Sequence, residues 1–360
     1  MKTTTALFAV ISVGAVAWYA GRNADPATPA EPPAPVARAA ALPIAPAPAE
    51  ATPLGASAVL AIDPKSLARA RAPARTSPPT LLNEFFKAKS LRALYDRLRN
   101  SPEGETAEGK LVLYEILQQC ATVSDAPRMG AMRATAAKRD DFVAGIPAND
   151  PQRDHRIAAF DTAVERCAGF SDVSVTRADM SKLLAESAAA GDARAQALAM
   201  EQQLWQSRRT AGGAGVTLTD PQVDQLRQLA GSHDPEAIRI AGRILAGNWS
   251  DYALRVGTDP SPVESRALAN AFALVACEYG GVCDANNPRI LQACAYQGHC
   301  DAQTLADYLY FYGSTPHDSQ LLANYQAIVR TAMQTGDWSQ LAVVRGLPAP
   351  PRPFVVPGQR

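Results

Sequence analysis

The chain has 360 residues, with 35 basic and 35 acidic side chains and a formal net charge of zero. That balance removes any electrostatic case for nucleic acid or an anionic membrane surface as a partner. The length allows one large or two ordinary domains, and the six cysteines, an even number, allow a covalent framework.

Residues 1–21 have the layout of an export signal, with Lys2 ahead of an apolar run over residues 6–20. Two versions stand. Cleavage after Ala17 would use the small pair Ala15 and Ala17. Retention would leave residues 3–21 as an inner-membrane anchor, close to the roughly 20 residues a bilayer needs, with Lys2 holding the bulk of the chain outside the cytoplasm. Both export the chain, to a periplasm in which it is either soluble or anchored. Residues 22–80 hold 13 of the 28 prolines, mixed with alanine. Such a stretch has too little to bury, favours extended polyproline geometry and reads as a disordered linker. Lys65, Arg69, Arg71 and Arg75 within it read as solvated linker, or as a docking segment that folds on a partner.

From Leu81 the apolar spacing is helical, through Leu82, Phe85, Phe86, Leu91, Leu94, Tyr95 and Leu98. Further helices are expected over residues 109–120, 129–142, 151–167, 180–190, 192–208, 220–230, 235–246, 267–279 and 318–335. Asp150 and Asp301 are the expected caps for the helices that follow them. No sustained alternation marks a strand. The fold class is therefore all-α, with an N-terminal helical subdomain over 81–175, a repeat-like helical subdomain over 176–345 and a Pro-rich disordered tail over 346–360.

The most informative stretch begins at Cys277. Cys-Glu-Tyr-Gly-Gly-Val-Cys-Asp-Ala is followed seventeen residues on by Cys-Ala-Tyr-Gln-Gly-His-Cys-Asp-Ala, and six of the nine positions agree. Each unit sits where one helical pattern stops and another begins, with glycines able to close the first helix and Asp284, Asn287 or Asp301 able to cap the next. Disulfides Cys277–Cys283 and Cys294–Cys300 would staple each corner, although four cysteines allow three connectivities. A metal site with His299 as an extra ligand is the competing reading, against which stand five intervening residues where zinc pairs usually have two to four. Cys120 and Cys167 share the pattern C-A-x-apolar-S-D at two helix ends, which pairs them with each other. Paired cysteines imply an oxidising compartment.

The stretch Ala188 to Leu198 resembles the turn of Sel-type tetratricopeptide-like (TPR-like) repeats, through Gly191, Asp192, Ala195 and Gln196. Residues 230–247 are similar through Asp234, Ala237, Gly242, Leu245 and Gly247. The spacing from Asp192 to Asp234 is 42 residues, longer than that family's regular period. The resemblance implies antiparallel helix pairs in an α-solenoid that displays surface to protein partners.

No catalytic motif or phosphate-binding glycine loop stands out in the sequence. His155, His233, His299 and His317 are scattered, near turns or helix starts. Tyr310 and Phe311 fall off the core face of their helix, where Leu305, Tyr308, Leu309 and Tyr312 share a stripe, and form the candidate partner surface. Trp205, Trp249 and Trp338 read as packing residues. The expectation is a non-catalytic protein–protein interaction or scaffold module of the cell envelope, with no cofactor. The alternative is a helical hydrolase acting on peptidoglycan through a lone glutamate on an apolar cleft wall, with Glu165, Glu186, Glu201 and Glu278 as candidate acids.

Overall fold

The computed structural model describes residues 81–125, 134–210, 215–259 and 261–346. The expected signal or anchor, the linker and the tail from residue 347 lie outside the described residues. The described residues belong to one compact unit. They form thirteen α-helices and two short strand pairs.

The first half holds α1 (Leu81–Lys87), α2 (Leu91–Arg99), α3 (Ala107–Cys120), α4 (Arg139–Gly145), α5 (Arg153–Arg166), α6 (Arg177–Ala189) and α7 (Ala193–Thr210). The second holds α8 (Asp220–Ala230), α9 (Pro235–Leu245), α10 (Ser265–Glu278), α11 (Pro288–Gln297), α12 (Leu305–Phe311) and α13 (Pro316–Thr335). β1 (Thr122–Val123) pairs in parallel with β2 (Ser174–Val175), and β3 (Ala253–Val256) pairs antiparallel with β4 (Leu341–Val344). No helix among the described residues is long and apolar enough to cross a membrane.

Local chemistry explains most of the boundaries. Thr176, Thr219, Thr304 and Thr315 each close a reciprocal capping box with the third helical residue. The helix after the second cysteine corner therefore starts at Leu305, under Thr304, and not under Asp301. Asp150 does not cap a helix beginning at residue 151 either: α5 starts at Arg153, and Asp150 accepts hydrogen bonds from Gln152 N and Arg156 Nη1. The apolar pattern over residues 82–98 divides into two helices at Ser90, which adopts an extended N-cap conformation. The strand pairs escaped the sequence reading because two to four residues are too few to show alternation.

Packing follows the chain in part and skips along it elsewhere. α6 packs on α7, α8 on α9, α9 on α10 and α10 on α13. The close approach of α9 to α10 requires Gly242: a Cβ there would stand 2.1 Å from Cγ of Phe272, itself fully buried. Arg194, buried at the start of α7, gathers three carboxylates, lying 3.2 Å from Glu108 and 3.7 Å from Asp234 and donating through Nε to Asp192 at 3.0 Å. A longer-range contact joins α5 to α11, with Phe160 and Cys294 in one small cluster. The main core spans residues 197–341 and a second cluster covers α1 to α3 with Phe170 and Val173.

Candidate functional site

The cysteines set the frame. Cys120 bonds to Cys167, Cys277 to Cys283 and Cys294 to Cys300, and no free cysteine remains. Sulfurs bonded to one another leave no thiolate for a metal. Gly280 and Gly298 sit inside the two corners with φ of 94° and 76°, which only glycine adopts without strain. Asn287 caps α11 by accepting from Arg289 N at 2.9 Å, with Pro288 in the first turn. Three disulfides fit an oxidising compartment.

The first corner borders a cleft of about 660 Å³. One side is α1 and α3, with Leu82, Phe85, Phe86 and Glu115. The other is α9 and α10, with Glu236, Arg239, Arg243, Arg266 and Asn270, and the start of α11 adds Arg289. Its volume is typical of ligand sites, which are mostly apolar with a few convergent polar groups. A second cavity of about 310 Å³ along α13 is lined by alanines, threonines, Ile328, Asp337 and Gln340, and gathers no such set.

The charges in the cleft are unevenly spent. Glu236 neutralises Arg239, which donates from Nε at 2.8 Å. Glu201 neutralises Arg243 by a two-pronged contact of 2.7 and 2.5 Å. Among the described residues no carboxylate lies within salt-bridge distance of Arg266 or Arg289. Arg289 instead donates to Asn270 Oδ1 at 3.0 Å and lies over the Tyr308 ring, 5.5 Å from its centre. Burial holds its guanidinium below the usual arginine range, and the like charges of Arg239 and Arg266 add to that. Asn270 is only 3% exposed, and its Nδ2 finds no hydrogen-bond partner among the described residues. Arg289 fixes the orientation of that amide, since it requires an acceptor.

Glu115 lines the cleft with no hydrogen bond to its carboxyl among the described residues. Burial, reinforced by the Glu236 carboxylate, pushes its pKa up to about 7, against the opposing pull of Arg239, Arg243 and Arg194. The sequence offered no sign of this residue. It sits in an apolar helix, α3, between Tyr114 and Ile116, and only the tertiary fold turns it toward three arginines.

The expected acids lie elsewhere. Glu165 is exposed at the end of α5. Glu186 pairs with Lys110 at 2.8 Å, which holds its pKa below the usual carboxylate range. Glu278 is gripped by Arg330 Nε at 2.6 Å and by Gln326 at 2.7 Å. Only Glu201 touches the cleft, through Arg243. Of the two residues of the expected aromatic surface, Phe311 is 76% exposed, while Tyr310 is half-buried with its hydroxyl 3.3 Å from Gln326. Tyr312, expected on the core stripe, is exposed and stacks on His299 at 4.6 Å. Trp249 packs inside and donates to the Ile244 carbonyl, whereas Trp205 is 47% exposed. The chain matches no family model, no curated protein and no solved structure.

Proposed function

We propose that the protein is an exported helical module of the cell envelope that binds a segment of a protein partner in this cleft, without catalysing a reaction. The observation that carries the reading is the cleft itself, which brings an apolar wall from α1 and a surplus of arginine from α10 and α11 around one volume of peptide size. Its helices are read as degenerate tetratricopeptide-like pairs. Gly242 against Phe272 supports that reading, because it serves close helix approach at a residue of the repeat-like signature. A retained N-terminus would hold the module at the inner membrane, and a cleaved one would release it.

The test fills the cleft. Ala269→Trp places a large side chain on the lining face of α10. Oxidised wild-type and variant chains are used to capture partners from envelope extract. A protein retained by the wild type and lost with Ala269→Trp supports the reading, and identical capture by both contradicts it.

A second reading is favoured by one observation, the raised pKa of Glu115, which keeps a proton available near neutrality as a general acid needs. In that reading the module is a helical peptidoglycan hydrolase and Glu115 replaces the four glutamates expected from the sequence. Turnover of peptidoglycan by purified protein, abolished by Glu115→Gln, would establish it in place of the first.

A further inference from the structure

The arginine corner of the cleft has more specific chemistry than partner binding alone requires. Two arginines there lack a carboxylate among the described residues, and a third, Arg239, presses its like charge on Arg289. Beside them an amide N–H₂ is buried without an acceptor. Beyond the contacts of Arg289 with Asn270 and Tyr308, the isolated chain does not balance this charge, and an unmade buried hydrogen bond is costly. One ligand group resolves both: an anion with two in-plane oxygens, matched to the guanidinium fork and to Asn270 Nδ2. The start of α11 adds its positive end.

Resting on the reading of the cleft as a partner site, we propose that its occupant is an acidic peptide segment whose carboxylate is bound by Arg266, Arg289 and Asn270. The residue next to that carboxylate is aliphatic and lies against Leu82, Phe85 and Phe86, which line the same cavity. The peptide backbone has N–H groups to offer Glu115, an acceptor otherwise unused. A lone inorganic oxyanion would leave both the apolar wall and Glu115 without a partner, which is why a peptide fits better than phosphate.

The experiment is a random-peptide display selection on the oxidised full chain, run in parallel on wild type, Ala269→Trp, Asn270→Leu and Arg289→Gln. Wild type is expected to enrich sequences with Asp or Glu beside Leu, Ile or Val. The best of these, synthesised and measured by calorimetry, should bind at least tenfold more weakly to Asn270→Leu and to Arg289→Gln. Its Asp→Asn or Glu→Gln version should lose a similar factor on wild type. Arg289 keeps solvent access from the first turn of α11 although its guanidinium faces the cleft, so its variant tests the idea even if Asn270→Leu does not fold. Enriched peptides without acidic residues, acidic peptides indifferent to both substitutions, or displacement of the peptide by millimolar inorganic phosphate would each overturn the carboxylate site. In the first two cases, loss of binding with Ala269→Trp would still leave the cleft as a partner site. No enrichment at all would overturn both.

Discussion

Arg156 on α5 donates from Nε to the carbonyl oxygen of Ala295 on α11, 3.0 Å away and 139 residues further along the chain. The same guanidinium donates to Asp150, and the stacked rings of Phe142 and Phe160 sit beside Tyr296 at the same junction. A helix from the first half is thus tied to the second cysteine corner. Because both groups are partly buried, Arg156→Ala should cost about 2 kcal/mol, the range for a hydrogen bond involving a charged group. Urea unfolding of the variant measures it, and a loss within experimental error of zero would show that the junction holds without this bond.

The close approach of α9 and α10 gives a sharper case. Alanine is the better helix former by about 1 kcal/mol. Even so, Gly242→Ala should destabilise by about 1–3 kcal/mol, because its new methyl would meet the Phe272 ring, which has nowhere to go. Thermal unfolding reads the sign directly. A stabilised variant would mean that the two helices can separate freely.

The three disulfides differ in the chain they constrain. Cys120 and Cys167 are 47 residues apart, and each corner pair is separated by only 6. Loop-entropy reasoning then gives about 4 kcal/mol for the long bridge and about 2 kcal/mol for each short one. Double alanine variants of each pair, compared by denaturant unfolding, should follow that order. Native material should contain no free thiol by mass spectrometry.

Much of this fold was legible because its signals are local. Glycine at a helix end and Asn-Pro at a helix start act within one turn, and Gly298 and Asn287 behave as such residues do. The threonine boxes at Thr176, Thr304 and Thr315 are equally local but went unread, because Asp301 and the apolar spacing drew the starts elsewhere. The disulfide pairs were legible because each corner carries both of its cysteines, and because Cys120 and Cys167 share one helix-end pattern. The cleft was not legible. Glu115, Asn270 and Arg289 belong to α3, α10 and α11, and nothing in the neighbours of any one of them indicates that they share a cavity. Asn270 even occupies a position in an apolar helix where a further aliphatic side chain would be expected. Tyr312 shows the opposite failure, since helical spacing placed it on the core stripe, but α12 ends at Phe311 and the residue beyond it turns outward.

Glu115 makes stability depend on pH in a defined direction. Its carboxyl is pushed up to about 7 in the fold, well above its ordinary value. Below the unfolded value both states are protonated and there is no penalty. As pH rises toward 7 the unfolded chain ionises first, so the fold loses stability, and the loss levels off above 7. The total is on the order of 3 kcal/mol. Glu115→Gln should therefore be more stable than wild type at pH 8 and equal to it at pH 4. Carboxylates other than Glu236, whose charge is coupled to it, contribute equally to both proteins, so the difference isolates this pair.

Asn270 should show a trade between stability and binding. Asn270→Leu removes a buried amide with an unmade hydrogen bond, a defect worth about 1–3 kcal/mol. Arg289 loses an acceptor, but its place in the first turn of α11 lets the guanidinium turn from the cleft to water. The variant should melt at or above the wild-type temperature while losing ligand affinity. A large drop in melting temperature would make Asn270 a structural residue.

Hydrogen–deuterium exchange on the oxidised chain, with and without the partner captured through the cleft, tests the central claim most directly. Added protection is predicted in α1, along α9 and α10 and at the start of α11. Protection confined to the exposed edge of Phe311 and Tyr312, with the cleft helices unchanged, would contradict it.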